Sequence, residues 1–209
     1  MLSFKSLAIA AAVAFGAIST VYAAPAVSSD VAVARDVVAI RGVAAIVAEV
    51  HAKVTPFVAQ LHTLTVANAT VEVVHPIVTE IKDVVAGAVV EVVALAGAKP
   101  SVILASVDGT VQVTVVVLAK LIADLLILIF GALGFVLSVC DVSLVAALIP
   151  CLCIVADILG CLICAIFSLC GGLLVGLVGA VVALIGAILP IIARLNVVVL
   201  VSIFAGVKL

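Results

Sequence analysis

Charged side chains are almost missing from the second half of this 209-residue chain. Between residues 125 and 193 the sequence has only two charges, Asp141 and Asp157, and the next one is Arg194. In the first half, charges recur every few residues from 30 to 108. An apolar segment of this size has no water-compatible surface of its own, so it must enter a bilayer, assemble, or spread at an interface.

Tryptophan is absent and Tyr22 is the only tyrosine, which leaves few rings for a membrane boundary. Membrane proteins with several spans usually place Trp and Tyr at the level of the lipid headgroups. After residue 23 every aromatic side chain is a phenylalanine: Phe57, Phe130, Phe135, Phe167 and Phe204. This scarcity argues against an ordinary multi-span protein.

Basic residues form no stripe, and the formal net charge is −2, so the electrostatic signature of a nucleic-acid-binding protein is missing. The three histidines, His51, His62 and His75, lie in the first half, whereas every cysteine lies in the second. We find no nucleophile–base pair, carboxylate dyad, phosphate-binding loop or metal-ligand set with recognisable spacing. We therefore expect no enzyme, no cofactor and no metal site.

The N-terminus has the three parts of a secretory signal peptide. Lys5 supplies a positive charge, residues 7–18 are apolar but too short to cross a bilayer, and small side chains at Val21 and Ala23 precede the cleavage point. We predict cleavage between Ala23 and Ala24, which removes Lys5 and changes the net charge from −2 to −3. The alternative is an uncleaved anchor. A cleaved signal predicts an extracellular or cell-wall location.

Hydrophobic residues make up 68% of the chain, compared with about 45–50% in typical globular domains. In the first half, polar residues recur at helical spacing over Val71–Ala96, and less regularly over Asp30–Leu64, where Pro56 should kink or divide the helix. The Val-rich runs also suit strands, but strict alternation is lacking, so we favour helices. We divide the chain into a signal peptide (1–23), an amphipathic helical region (24–112) and a hydrophobic, cysteine-bearing helical region (113–209).

The hydrophobic region contains several apolar segments of unequal length. The uncharged residues 125–139 extend only about 22 Å as a helix, which is less than the roughly 30 Å of a bilayer core. Residues 142–156 form an equally short segment, and Pro150 interrupts it. The stretch 158–189 is the one segment of full spanning length, so it is the firmest candidate for a span.

Four charged residues lie in or beside these apolar segments. Lys120 and Asp124 are four residues apart and should pair on one helical face. Asp141 and Asp157 are candidates for a function because ionisable groups are rare in apolar segments. The simpler interpretation, which we favour, places both at helix ends or turns.

Six cysteines lie within 31 residues: Cys140, Cys151, Cys153, Cys161, Cys164 and Cys170. In a secreted chain a clustered, even number of cysteines predicts disulfides, here two or three bridges that fix the register of sliding apolar helices. Fifteen pairings are open. Two alternatives remain: Cys161-x-x-Cys164 as a redox or metal pair, and free buried thiols that act as small apolar side chains.

Asn68-Ala69-Thr70 is an N-glycosylation sequon in a predicted break between helices. We expect Asn68 to carry a glycan, which would enlarge the contrast between the polar and apolar halves. Gly172, Gly176 and Ala180 are spaced by four, as in helices that approach closely. The alternative is that glycine is simply common in apolar helices.

In layout the chain resembles a group of small secreted proteins of mushroom-forming fungi that are not hydrophobins. They share a signal peptide, a more hydrophilic first half and a hydrophobic, cysteine-bearing second half, here with the sequon at Asn68 and the cluster Cys140–Cys170. Hydrophobins themselves have eight cysteines with two Cys-Cys doublets, whereas this chain has six and no doublet. The resemblance implies a cell-wall or matrix role at air or solid surfaces, and it supplies no catalytic residues.

We therefore predict an all-α protein in which amphipathic helices precede a compact, disulfide-linked bundle of apolar helices. The leading hypothesis is a secreted, non-enzymatic, surface-active or wall protein that self-associates at hydrophobic interfaces. The alternative is an integral membrane protein with two to four transmembrane helices. A third hypothesis is a carrier that binds a lipid in an apolar cavity.

Overall fold

The computed structural model of the protein describes residues 41–140, 142–195, 200 and 202, which belong to one compact unit. Within these ranges the secondary structure is helical, apart from one isolated bridge between Ala105 and Gln112. The all-α prediction is confirmed, and the strand alternative for the Val-rich runs is wrong for these residues. The predicted signal peptide, with its cleavage point between Ala23 and Ala24, and Asp141 lie outside the described residues.

Seven α-helices and one 3-10 helix make up the described part of the chain. Their bounds are α1 Val43–His62, α2 Val71–Ala94, α3 Pro100–Ile103, α4 Val115–Val139, α5 Val142–Cys170, α6 Leu177–Leu184, the 3-10 helix Gly186–Ile188, and α7 Leu189–Arg194.

Helices α1 and α2 are amphipathic because their apolar residues recur every three or four positions and bury one face. The buried positions of α2 are Val74, Val78, Ile81, Val85, Ala88 and Val92, and α1 follows the same spacing. Helix α2 ends at Ala94, and Gly97, three residues before Pro100, adopts a positive φ of 85° in the turn that follows. The amphipathic region thus folds as two long helices with one apolar face each.

Two prolines that were predicted to break helices do not divide them. Helix α1 continues through Pro56, and α5 continues through Pro150. A proline removes the N–H that would bond to the carbonyl four residues earlier, here Ala52 and Ala146. Both of those residues are exposed, so water can bond to the free carbonyls, and the apolar faces of the helices hold them in place.

The predicted span 158–189 is wrong as a continuous segment. Helix α5 ends at Cys170, and the chain turns before α6 begins after Gly176, which has a φ of 86°. Among the residues that the structure describes, the helices long and apolar enough to cross a membrane are Val115–Val139, with 25 residues, and Leu144–Cys170, with 27. A third candidate is the pair formed by α6 and Gly186–Arg194, which is bent by 64°. The cluster of glycines after Cys170 ends α5, although the apolar composition by itself would allow the helix to continue.

The amphipathic helices pack along the apolar ones. Helix α1 lies against α2 and α4, α2 also lies against α5, and α6 and α7 pack on α4. Helices α4 and α5 contact each other very little. The regions 24–112 and 113–209, which differ so clearly in composition, therefore share one core wherever the structure describes them. Each long apolar helix is covered mainly by an amphipathic partner.

Candidate functional surface

We call α1 and α2 the sheath, and α4 and α5 the apolar pair. Inside the described part of the chain, no polar or charged side chain is buried. The core between the sheath and the apolar pair is formed by Val, Ile, Leu and Ala, together with Phe130. Such contacts depend on the exclusion of water and carry no directional bonds. Another apolar phase can consequently replace the contacts between the sheath and the apolar pair.

Ion pairs hold the sheath together but do not attach it to the apolar pair. Arg41 contacts Glu49 at the start of α1 and reaches Glu91 on α2 at 2.7 Å, and Lys53 contacts Glu49 at 2.6 Å. On the apolar pair, Lys120 and Asp124 are 2.9 Å apart, which confirms that predicted pair. Among the residues with described positions, no ion pair crosses from the sheath to the apolar pair. Exposed pairs of this kind each contribute about 0–1 kcal/mol.

The only ring contact between the sheath and the apolar pair in the described residues joins His62 to Phe135. The ring centroids are 4.9 Å apart, with an angle of 53° between the planes. His62 is the last residue of α1, and Phe135 lies in the last turns of α4. This contact positions one end of the sheath but adds little free energy beyond the area that it buries.

The apolar pair remains partly uncovered in this fold. About half of the most apolar 18-residue window in each helix is buried, 50% in Val115–Val139 and 44% in Leu144–Cys170. Val116 is 73% exposed and Ile154 is 51% exposed. The sheath therefore reduces the apolar surface without removing it, and the exposed remainder is a ready point of contact with another apolar phase.

Asp157 occupies an unexpected position. It was predicted at a helix end, but it lies in the middle of α5, at residue 14 of the 27 residues in Leu144–Cys170. Its side chain is exposed, on the same face as Ile154 and Cys161. A charged residue between two apolar segments suggested that a helix ends at Asp157. Helix α5 continues through it because the carboxylate faces water and requires no partner.

Five of the six cysteines lie on α5, and the sixth, Cys140, caps the end of α4. In the structure no two cysteines are at disulfide-bonding distance, so the predicted bridges are not formed in it. For cysteines several turns apart the reason is geometric: one helix rises about 1.5 Å per residue, which places Cys151 and Cys161 roughly 15 Å apart, whereas bridged Cα atoms are about 4.4–6.8 Å apart. Cys170 is buried, and the Cys153 thiol donates to the Leu195 carbonyl at 3.3 Å.

The Cys161-x-x-Cys164 pair lies on continuous helix, with Cys161 exposed and Cys164 partly buried. Over the residues that the structure describes, no group of three or more His, Cys, Asp or Glu side chains is placed to hold a metal ion. The three histidines lie on the sheath, and no second motif accompanies the pair. The redox or metal interpretation gains no support from this arrangement.

The sequon at Asn68 lies in the turn between α1 and α2. Asn68 is exposed, and its Oδ1 accepts hydrogen bonds from the Thr65 backbone N–H at 2.6 Å and from the Thr65 hydroxyl at 3.1 Å. These bonds use the carbonyl oxygen and not the amide nitrogen to which a glycan is attached. Glycosylation of Asn68 stays a prediction, on a site that solvent can reach.

The glycines that permit close packing are not the predicted ones. Gly172 and Gly176 belong to the turn after α5, so the spacing with Ala180 does not form a helical stripe. Instead, a Cβ atom on Gly134 would lie 2.6 Å from the Ile191 Cδ1 atom, which shows that α7 packs closely on α4 at this point. At Gly42 it would lie 2.6 Å from the Ala105 carbonyl oxygen. Gly131 and Gly134 both lie in this apolar helix, and nothing in the sequence marks Gly134 as the closely packed one.

These features describe a surface and not a pocket with reactive groups. The described residues bring together two long apolar helices, an amphipathic cover held by its own ion pairs, and one exposed carboxylate in mid-helix. Comparison with known proteins adds no assignment: no protein-family model, curated protein or solved structure matches this chain.

Proposed function

We propose that the protein is a secreted, non-enzymatic, surface-active protein of a cell wall or extracellular matrix, which acts at hydrophobic interfaces. In water the sheath covers much of the apolar pair. At air, oil or a solid apolar surface, the sheath separates and the apolar pair spreads. The observation that carries this proposal is that the sheath packs along the apolar pair through apolar contacts, while its ion pairs stay within the sheath.

Separation of the sheath from the apolar pair costs little free energy when an apolar interface is present. An external apolar phase replaces the contacts that the sheath provides, so little hydrophobic free energy is lost when the two halves separate. Arg41 continues to hold Glu91 across α1 and α2, so the sheath can leave as a unit. Charged residues then face water while Val, Ile and Ala face the interface, which is the usual arrangement of an interfacial amphipathic helix.

The connection between the two halves is long enough for this movement. Residues 95–114 join α2 to α4 and contain the short helix α3, the bridge between Ala105 and Gln112, and a turn at Gly109, which has a φ of 73°. Twenty residues can extend to about 65 Å. The hydroxyl of Ser106 donates to Asp108 in this turn and holds the pKa of that carboxyl below its usual value. The linker is ordered locally, and its Ile103, Leu104 and Val113 side chains are buried in the shared core, so opening requires them to leave it as well.

The second candidate function is that of an integral membrane protein, and the lengths of Val115–Val139 and Leu144–Cys170 favour it. In the packed conformation, however, a bilayer around these helices would also surround α1 and α2. Those two helices carry seven charged residues: Glu49, Lys53, Glu72, Glu80, Lys82, Asp83 and Glu91. Spanning would therefore require the sheath to leave first, and it would bury Asp157 at the bilayer centre, which is unfavourable. We prefer the surface-active role for that reason.

Secretion, the glycan at Asn68, the cysteine chemistry and the likeness to fungal wall proteins belong to the same proposal. With five cysteines along one helix, bridges among Cys140–Cys170 are expected between copies of the chain that meet at an interface. Such links would stabilise the self-associated form and leave the single molecule free to open. No cofactor, metal or nucleic acid has a role in this proposal.

Pendant-drop tensiometry on the purified full chain tests the proposal, with sedimentation velocity on the same sample. We expect surface tension to fall over time while the circular dichroism of recovered protein stays helical. A monomer that leaves surface tension unchanged would refute the surface-active role. Alkaline carbonate extraction of host membranes separates the second candidate, because a spanning protein stays in the pellet.

A further inference from the structure

A groove of about 420 Å³ runs between α2 of the sheath and α5 of the apolar pair. Its base is apolar and includes Val78 and Val155, which are buried. Its α5 side is formed in part by Pro150 and Ile154, both exposed to solvent. A volume of this size falls within the range of about 300–1,000 Å³ that small-molecule sites occupy.

The groove has one charged group, and it is a cation. Lys82 is the only charged side chain among the described residues that line it, and His75 lies along the same face of α2, seven residues earlier. The side chain of Lys82 is 35% exposed, and its Nζ contacts Asp83 Oδ1 at 2.9 Å. An ammonium group has three donors, so two remain for another acceptor. An apolar channel with a cation at its edge is complementary to an alkyl chain that ends in an anion.

We propose that this groove binds a single free fatty acid, with the alkyl chain between α2 and α5 and the carboxylate at Lys82. The chain would cover Ile154, the most exposed isoleucine on α5. Since the ligand contacts both the sheath and the apolar pair, it stabilises their closed arrangement and raises the unfolding temperature as its free concentration rises above the dissociation constant. The inference depends on the groove alone and holds whether or not the protein is surface-active.

The direct test is isothermal titration of the full chain with dodecanoate below its micelle concentration. We expect saturation at one ligand per chain, with affinity rising roughly fourfold for each added methylene from octanoate to dodecanoate. Methyl dodecanoate, which lacks the charge, should bind about tenfold more weakly, because a charge-assisted bond is lost at a partly exposed site.

Two variants locate the site. Lys82→Met should weaken dodecanoate binding about tenfold, and Ala147→Trp, at an exposed lining position on α5, should fill the groove and abolish binding. The matched control is Lys120→Met, because Lys120 is also a lysine paired with a nearby aspartate, on α4 and away from the groove. Circular dichroism confirms that each variant is folded, and the Trp variant keeps the test decisive if the methionine variant unfolds.

Three results would overturn the proposal. Uptake that never saturates would mean simple partition into exposed apolar surface. Equal losses for Lys82→Met and Lys120→Met would mean that the cation is not part of the site. Equal binding of the methyl ester would mean that the carboxylate is not recognised.

Discussion

Asp157 offers the sharpest test of how α5 meets an apolar phase. It lies about 20 Å from either end of Leu144–Cys170 at 1.5 Å per residue, so it would reach the middle of a bilayer if α5 crossed one. At that depth an aspartate is unfavourable by about 2.5–3.5 kcal/mol, whereas leucine is favourable by about 0.3–0.6 kcal/mol. Asp157→Leu should therefore favour the inserted helix by about 3–4 kcal/mol.

The same substitution should hardly change the closed protein. Asp157 is exposed in the fold, and surface substitutions of this kind usually alter the free energy of unfolding by about 0.5 kcal/mol or less. The substitution therefore changes mainly the free energy of the inserted form. We expect the partition coefficient of Asp157→Leu onto phosphatidylcholine vesicles to exceed that of the parent by about 100- to 1,000-fold.

Flotation of purified protein with vesicles measures that coefficient. Ser168→Leu is the matched control, because it adds a leucine to the same exposed face of α5 near the end of the segment, without removing a charge. It should change partition far less than Asp157→Leu. A change of under threefold for Asp157→Leu would show that α5 does not cross the bilayer even when its carboxylate is absent, and the reasoning about Asp157 would be wrong.

Three further predictions concern the fold and its modification. Ile81→Ala, at a fully buried position of α2, should lower the free energy of unfolding by about 2–5 kcal/mol in denaturant titrations and speed the fall in surface tension in tensiometry. Val90→Ala, at a position that is 65% exposed, should change neither quantity. Gly42→Ala should destabilise the protein by about 1–3 kcal/mol because the added Cβ atom would lie 2.6 Å from the Ala105 carbonyl oxygen and 2.8 Å from that of Val102, while Gly131→Ala, with open space at its Cβ position, should be neutral or stabilising; equal melting temperatures for the two would contradict the close backbone approach at Gly42. Asn68→Gln should abolish a glycan mass shift in protein secreted by a eukaryotic host, and unchanged gel mobility would show that the sequon is unused.

Local features of this fold could be predicted from sequence where one physical rule dominates. The spacing of valines in α2 predicts its buried face, and the distance of four residues predicts the pair of Lys120 and Asp124. The turn after Ala94, where α2 ends, contains Gly97, whose positive φ reflects the conformational freedom of glycine. In each case the deciding residues lie within a few positions of one another.

The long-range arrangement could not be predicted in this way. Valine, leucine and alanine on one helix fit many partners almost equally well, so nothing in the sequence pairs α1 with α4 or α2 with α5. The positions of the helix ends were wrong for a related reason. Whether Pro150 breaks α5 depends on whether Ala146 faces water, and that is decided only by tertiary packing. The placement of five cysteines on one helix follows from the same unbroken α5.

No described ion pair joins the sheath to the apolar pair, and this has a practical result for handling the protein. Added salt screens the contact of Arg41 with Glu91. It does not weaken the apolar contacts of the sheath with α4 and α5, and strongly hydrated anions such as sulfate strengthen them. Salt washes should thus fail to detach or unfold the molecule. Mild detergents, which compete for apolar contacts, are the reagents that would release it from an apolar surface.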